Sequence, residues 1–208
     1  NSIIMAIQIN GNGTITGISV GGLPNGIVDT DMLADGAATA VKRGAGSPLQ
    51  VVQSSNDLGS VSGITSTSFA TSSSLPYVNI TPIKANSLYR LEGKLYGAFN
   101  GNTQPVLGFC VSTDNGSSWT YNLQSKGTTQ YSHGNGAYNY GEWMTWDDMP
   151  EFIVHWSTLY ISSFAAGTSN IRFGICYRNI YHSSNQNAFT LSNTEDTMGS
   201  LLVTEIAT

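Results

Sequence analysis

The sequence predicts a mainly-β protein, an antiparallel β-sandwich or jelly roll that follows a short N-terminal segment. Ser, Thr, Asn and Gly make up 88 of the 208 residues, and these residue types favour turns and strands over helices. Hydrophobic residues make up 40% of the chain, which excludes disorder. From Pro48 onward, alternating segments are separated by turn signals roughly every 8–14 residues, a spacing typical of sandwiches and jelly rolls.

Residues 1–47 and residues 48–208 differ in composition, which predicts that the chain has two parts. The first part contains no aromatic residue, whereas the second carries every Phe, Trp and Tyr of the chain. A short segment without large rings cannot bury enough surface to fold by itself. Its isoleucines and valines therefore need a partner surface, which identical chains wound together would provide. We expect residues 1–47 to form an intertwined neck and residues 48–208 to form a β-sandwich head.

One helix is predicted in the neck, over about residues 29–43. Asp29 or Thr30 can cap its N-terminus, and acidic residues occupy its first turns. Basic residues occupy its last turn, and Gly44 follows as a C-terminal stop. We expect this helix to pack against the same helix of neighbouring copies.

The head is predicted to consist of strands along its whole length. These segments share an alternation of apolar and polar residues, or a short apolar run between turn residues. Eight or nine strands are expected, within the segments 49–53, 77–83, 88–99, 106–112, 118–123, 152–163, 170–180, 189–191 and 201–206. Residues 54–74 are rich in Ser and Thr and could form either strands or loops.

Charge and hydropathy exclude several classes of partner. The net charge is −5 and the chain has no run of basic residues, which argues against nucleic acid. No stretch reaches the roughly 18 consecutive apolar residues of a membrane-spanning helix, so no membrane insertion is expected. The first residues lack the pattern of a signal peptide and open in the middle of a strand-like run, as a fragment would.

The two cysteines are predicted to be buried free thiols. Cys110 and Cys176 each lie in an apolar context, and their spacing is not that of a CxxC motif. A disulfide would suit secretion, for which nothing else in the sequence argues. Neither cysteine has a His or Asn nearby in the sequence, so nothing supports a cysteine nucleophile.

Three segments together resemble the C-terminal part of tail fibre proteins of tailed bacteriophages, particularly those of marine and environmental phages. The first is GTITGISVGGLPNGIVDTDML at residues 13–33. The second is GSPLQVVQ at 46–53, followed after a Ser/Thr stretch by VNITPI at 78–83. The third is GSLLVTEIA at 199–207. The resemblance covers both ends and the first third of the chain.

This resemblance implies a homotrimeric fibre with an intertwined shaft or neck and a β-sandwich head at its distal tip. The tip would bind a host cell-surface glycan or outer-membrane receptor during adsorption, and the neck would join the rest of the tail fibre. The protein would be made in the host cytoplasm and would act in the virion. The family shares no catalytic residues, so the resemblance supplies none.

Residues 112–119, STDNGSSW, match the Asp-box pattern S-x-D-x-G-x-x-W. The pattern resembles the hairpin motif that recurs in sialidases. We expect Asp114 to accept bonds from turn amides, Gly116 to supply a positive φ, and Trp119 to pack under the hairpin. Because the motif occurs once and the chain has only four Arg, a turn without catalytic function is the favoured interpretation.

Residues 131–151 are the most informative segment, because they combine rings, acids and glycines without strand periodicity. Rings can stack on the C–H faces of sugars while carboxylates and amides accept hydroxyl hydrogen bonds. The candidate receptor- or glycan-binding residues are Tyr131, His133, Tyr138, Tyr140, Trp143, Trp146 and Asp147. The alternative is that Trp143 and Trp146 plug the end of the sandwich or a seam between subunits.

The same segment holds acids that suggest two other kinds of site. Asp147, Asp148 and Glu151 could bind Ca²⁺ or Mg²⁺, although a solvated corner is favoured. Glu142 with Asp147 or Asp148 would need facing carboxyl groups to act as a glycosidase pair. The three histidines lack the spacing of a zinc site. We therefore predict no cofactor, no metal and no catalytic residues.

The sequence thus favours a non-enzymatic fibre tip that binds a host receptor, most simply a glycan. Its few charges and many hydroxyl, amide and ring side chains suit neutral hydrogen-bonding ligands. A polysaccharide depolymerase or glycosidase embedded in the fibre is the first alternative, and a purely structural fibre segment is the second.

Overall fold

The computed structural model divides the chain into two units, Asn1–Lys42 and Arg43–Thr208. The described residues are 8–9, 15–16, 43–54, 59–100, 105–121, 123, 131–133, 136–138, 143–144, 151–179, 188–193 and 199–208. In the first unit they form one antiparallel pair, β1 (Gln8–Ile9) with β2 (Ile15–Thr16). The helix predicted over 29–43 lies outside the described residues except for Arg43. The neck, its helix and the trimer therefore remain predictions.

The described residues of the second unit form strands and no helix. The strands are β3 (Pro48–Gln53), β4 (Gly59–Ile64), β5 (Ala70–Thr71), β6 (Tyr77–Ile80), β7 (Leu88–Asn100), β8 (Pro105–Ser112), β9 (Thr120–Tyr121), β10 (Tyr131–His133), β11 (Gly136–Tyr138), β12 (Trp143–Met144), β13 (Glu151–Ile161), β14 (Ile171–Asn179), β15 (Ala188–Asn193) and β16 (Ser200–Ile206). This confirms the mainly-β class.

The first sheet, which we call the β7 sheet, is organised around the long strand β7. Along one side β7 pairs with β13, and along the other it pairs with β16 and then β15. Strands β3 and β4 flank β16 and β15. All pairings are antiparallel. Among the described residues, β7 is the one strand that pairs with β13, so β13 forms an edge.

The second sheet, which we call the β8 sheet, has β8 and β14 at its centre. These two strands pair antiparallel from Pro105 opposite Asn179 to Ser112 opposite Arg172. Strands β9 and β12 pair with β8, and β5 and β6 pair with β14. The described side chains of β8 are buried on both faces, which explains its nearly continuous apolar sequence, VLGFCV.

The two sheets pack face to face around one hydrophobic core, which confirms the antiparallel sandwich. Phe109 of β8 stacks on Trp156 of β13 with ring centroids 5.2 Å apart. The ring centroids of Tyr89 on β7 and Phe173 on β14 are 5.0 Å apart. Aliphatic residues from both sheets, such as Leu91, fill the rest of the core. Two aromatic pairs thus bridge the sheets at their centre.

Gly93 of β7 makes room for the Trp156 indole, which lies directly opposite on β13. A Cβ atom at position 93 would lie 2.9 Å from two indole carbons and 3.1 Å from Phe109. We expect Gly93→Ala to lower the free energy of unfolding by about 1–2 kcal/mol, because the buried rings must shift. Denaturant unfolding measures this, with Gly44→Ala as the control, because position 44 is open and has no left-handed φ. Equal losses in the two variants would contradict the packing argument.

The outer face of the β7 sheet exposes large apolar side chains. Alternation along β13 turns Trp156, Thr158 and Tyr160 toward the core, so the odd-numbered residues from Ile153 to Ile161 point outward. We define the β13 face by the exposed residues Val51, Ile153, Leu159 and Ile161, which expose 58%, 71%, 42% and 52% of their surface. Leu159 and Val51 belong to one row across four strands, through Arg90 and Thr204. The face thus extends across the sheet from β13 to β3.

The predicted strands and the structure differ most where strands are short. The predicted strand 118–123 is wrong beyond Thr120–Tyr121, because Ser118 is held by Asp114 in the preceding turn. The segment 131–151 shows no strand periodicity in its sequence, yet it contains β10, β11, β12 and the start of β13. Within 54–74 the chain forms two strands, β4 and β5. The head therefore contains more strands than the eight or nine expected.

Candidate functional site

Four of the seven predicted site residues lie on short described strands. Tyr131 and His133 are on β10, Tyr138 is on β11, and Trp143 is on β12. Tyr140, Trp146 and Asp147 lie outside the described residues. Asp148 and Glu142 also lie outside them, so the glycosidase pair and the candidate metal corner stay predictions.

Backbone pairing brings two of the predicted tyrosines together. Strands β10 and β11 form an antiparallel hairpin in which Tyr131 is opposite Tyr138 and His133 is opposite Gly136. Trp143 is instead paired with Leu107, at the margin of the β8 sheet. The segment thus contributes both a hairpin and a sheet-edge strand.

A second cluster of rings, which sequence analysis missed, lies on the outer face of the β8 sheet. Because Phe173, Ile175 and Tyr177 of β14 face the core, Arg172 and Arg178 face outward. Together with rings from three other segments they form what we call the aromatic–arginine face: Phe69, Tyr77, Trp119, Tyr121, Arg172 and Arg178. Each of these side chains is at least partly exposed.

The Asp-box turn forms one margin of the aromatic–arginine face. Asp114 accepts hydrogen bonds from the Ser112 hydroxyl (2.6 Å), the Ser118 amide (2.8 Å) and the Ser118 hydroxyl (2.5 Å). Asn115 and Gly116 have positive φ angles of 61° and 94°. This confirms the predicted turn, in which Asp114 binds a turn amide and Gly116 supplies a left-handed backbone.

Trp119 closes this turn and covers the sheet beneath it. Its indole N–H donates to the carbonyl of Gly116 at 3.1 Å. A Cβ atom on Gly174 of β14 would lie 3.1 Å from the Trp119 ring and 3.4 Å from the sulfur of Cys110. The glycine therefore lets the indole lie directly on the strand, as predicted for a ring packed under the hairpin.

The guanidinium of Arg172 is held in one orientation by neutral groups. Its Nε donates to Oδ1 of Asn79 at 2.8 Å, and one terminal nitrogen donates to Oδ1 of Asn115 at 2.8 Å. It also lies 4.3 Å from the centre of the Tyr77 ring. Three elements distant in sequence thus fix this cation at the surface.

At the other end of β14 a second cation and two rings form a layered arrangement. The guanidinium of Arg178 lies 4.5 Å from the centre of the Phe69 ring. Phe69 and Tyr121 are nearly parallel, with an interplanar angle of 13° and centroids 6.5 Å apart. Tyr121 exposes 36% of its surface. Since a strand rises roughly 3.3 Å per residue, the α-carbons of Arg172 and Arg178 are roughly 20 Å apart.

Both cysteines lie on this side of the β8 sheet, beneath the rings. Cys110 is directly opposite Gly174 on β14 and Tyr121 on β9. Cys110 and Cys176 are buried and free, as predicted. Burial raises the pKa of the Cys110 thiol well above its ordinary value, and the adjacent Cys176 adds to the effect. The Cys110 thiol therefore remains protonated and serves as a packing group.

No protein-family model and no curated protein matches the chain. Among solved structures, Eiger TNF from S. frugiperda is similar, with a TM-score of 0.38 and 9% sequence identity, over 77% of this chain and 94% of that one. A CocE/NonD family hydrolase from Staphylococcus aureus is similar with a TM-score of 0.34 and 9% identity. That match covers 79% of this chain and 34% of the hydrolase.

The aromatic–arginine face is the candidate binding surface among the described residues. Among them, no group of three or more His, Cys, Asp or Glu is placed to hold a metal ion. Within the same residues, no helix has the length and apolar character needed to cross a membrane. The aromatic–arginine face offers ring surfaces, amide groups and guanidinium donors close together. Such groups can bind a ligand that presents both C–H faces and hydrogen-bonding oxygens.

The Asp-box turn makes the stability of the fold depend on pH under acidic conditions. Hydrogen bonds from Ser112 and Ser118 lower the pKa of Asp114 to about 2. A carboxyl with a lowered pKa stabilises the fold above its ordinary pKa near 4, and this contribution is lost as the pH falls to about 2. We expect Asp114→Asn to melt at a lower temperature than the native chain at pH 5, and the gap to narrow by pH 2. A difference in melting temperature that is the same at pH 5 and at pH 2 would contradict the role of the carboxylate.

Proposed function

We propose that the chain is the receptor-binding tip of a tailed-bacteriophage tail fibre, a homotrimer that binds a host cell-surface glycan without catalysis. In this proposal residues 48–208 form the distal head in the virion, and residues 1–47 form the neck that joins the rest of the fibre. The proposal rests on the resemblance of three segments to tail fibres and on the surface chemistry of the head.

The aromatic–arginine face is the observation that carries the binding function. Rings that are only partly buried on a folded sheet contribute ligand surface at a low entropic cost, because packing already fixes their rotamers. Tyr121 offers its exposed surface beside the parallel ring of Phe69. Asn79 and Asn115 place amide groups at the other end of the face. Rings and amides are the groups that sugars bind through their C–H faces and hydroxyls.

Two features support the assembly into a trimer. The neck contains no ring with which to build its own core. The β13 face exposes four large apolar side chains, three of them on the edge strand β13, and a concentration of exposed apolar side chains is typical of an interface. Three copies on one axis would present three weak glycan sites together, and linked sites can gain roughly 10²–10⁴-fold in avidity.

A binding assay with the purified chain tests the function. We expect the chain to bind some surface polysaccharides of candidate host bacteria on an array, and Phe69→Ala with Tyr121→Ala to weaken that binding by about 10-fold or more. Tyr138→Ala with Tyr140→Ala is the comparison, because it removes rings from the segment favoured by the sequence. If only this second variant loses binding, the contact surface lies at 131–147 and the assignment to the aromatic–arginine face is wrong.

The same incubations separate the alternative functions. A depolymerase or glycosidase would release reducing ends from the polysaccharide, whereas a receptor-binding tip would leave the polymer intact. A purely structural fibre segment would bind no polysaccharide and no host cell. Either of these results would contradict the proposal.

A further inference from the structure

Arg172 is an exposed cation whose described partners are all neutral. It donates to two amide oxygens, on Asn79 and Asn115, and lies against the Tyr77 ring. In the described part of the chain the one ion pair is that of Arg90 with Glu92, on the β7 sheet. The guanidinium of Arg172 thus carries a charge that no described carboxylate within ion-pair distance balances.

The surroundings of Arg172 fix its position before any ligand binds. The Asp-box turn approaches so closely that a Cβ atom on Gly116 would lie 2.8 Å from a terminal nitrogen of the guanidinium. Asn115 itself is held by its backbone N–H, which donates to the carbonyl of Asn170 at 3.1 Å. The described hydrogen bonds engage two of the five N–H donors of the guanidinium. A guanidinium that is fixed in position and has unused N–H donors can bind a planar anion.

We infer that the bound glycan is acidic and that Arg172 pairs with its carboxylate or phosphate group while neighbouring rings contact the sugar. This inference rests on the proposed function and deepens it, because it names the class of receptor. The few charged residues of the sequence predicted a neutral ligand. The position of Arg172 instead favours an acidic one. The net charge of −5 repels an anionic polymer at long range, so local pairing at Arg172 must supply the attraction.

The sharpest test neutralises the guanidinium without removing it. Asn115→Asp and Asn79→Asp each place a carboxylate where an amide oxygen now accepts from Arg172. Asp tolerates the positive φ of 61° at position 115 nearly as well as Asn. Both variants should therefore fold, which their melting temperatures verify. Lys84→Gln removes a cation from the loop before β7, outside both the aromatic–arginine face and the β13 face, and serves as the charge control.

The probes are a neutral oligosaccharide, the uronic acid oligosaccharide of the same linkage, and its phosphorylated counterpart. We expect native binding to favour an acidic form by at least about 10-fold, and each aspartate variant to lose that preference while Lys84→Gln retains it. Raising the salt concentration should weaken native binding to the acidic form and leave any neutral binding unchanged. The carboxylated and phosphorylated arms show which acid is recognised.

Three outcomes would overturn the inference at different levels. Equal binding of neutral and acidic forms would contradict an acidic receptor and leave the proposed function standing. A preference for acidic forms that survives both aspartate variants and Arg172→Gln would show that another group recognises the anion. Binding of no glycan, together with no adsorption to host cells, would overturn the proposed function itself.

Discussion

Glu205→Ala is expected to lower the free energy of unfolding by about 3 kcal/mol, because it leaves several buried or half-buried donors without an acceptor. The Glu205 carboxylate is fully buried in β16. It accepts from the backbone amides of Ile83 (3.0 Å) and Lys84 (3.1 Å), from the Ser87 hydroxyl (2.7 Å) and from the amide of Gln50 (2.5 Å). One side chain thus ties the loop before β7 and strand β3 to the C-terminal strand.

Two variants make the Glu205 result specific. Glu205→Gln keeps the shape but turns an N–H₂ group toward these donors, so it should also destabilise, by about 2 kcal/mol. Glu92→Gln alters a half-buried carboxylate on the outer face of the β7 sheet, paired with the exposed Arg90, and should change stability by less than about 1 kcal/mol. Denaturant unfolding measures all three variants. Similar losses at positions 205 and 92 would show that the buried network does not hold the loop.

Leu159→Asp with Ile161→Asp is expected to dissociate the proposed trimer. Both side chains are exposed on the β13 face, so aspartate there leaves the core intact. In a self-associated molecule the same positions would be buried, and two unpaired carboxylates per copy would oppose association. Light scattering at micromolar concentration should show the mass falling from about 66 kDa, three times the 22.1 kDa of one chain, toward that of a single copy.

The control for this variant adds the same charge elsewhere. Thr113→Asp with Thr120→Asp changes two exposed residues of the Asp-box hairpin, on the other sheet. This control should keep the native mass. If the β13 variant also keeps the native mass on dilution to nanomolar concentration, the β13 face is not the interface.

The fold class was predictable because it follows from local patterns of apolar and polar residues along the chain. Strand β7 alternates buried and exposed residues along its length, and β8 shows the continuous apolar run of a strand covered on both faces. Short strands were missed because two residues, as in β5 or β12, contain no period to detect. The Asp-box turn was predictable in detail because its hydrogen bonds join residues at most four positions apart.

The aromatic–arginine face was not predictable, because it depends on strand register. Arg172 meets Asn79 across 93 positions of the sequence and Asn115 across 57. No local pattern indicates that these three side chains share one surface. The signal present in the sequence was Gly174 between the two outward arginines of β14, at the point where Trp119 covers the strand. The segment 131–147 was favoured because its rings are close together in sequence, whereas those of the aromatic–arginine face come from three separate segments.

A crystal structure of the chain bound to the oligosaccharide that performs best on the array tests the central claim most directly. The account predicts a sugar ring against Tyr121 or Phe69 on the outer face of the β8 sheet, with an acidic group within hydrogen-bond distance of the Arg172 guanidinium. A sugar bound at the β13 face, or on the segment 131–147 with the aromatic–arginine face empty, would contradict it.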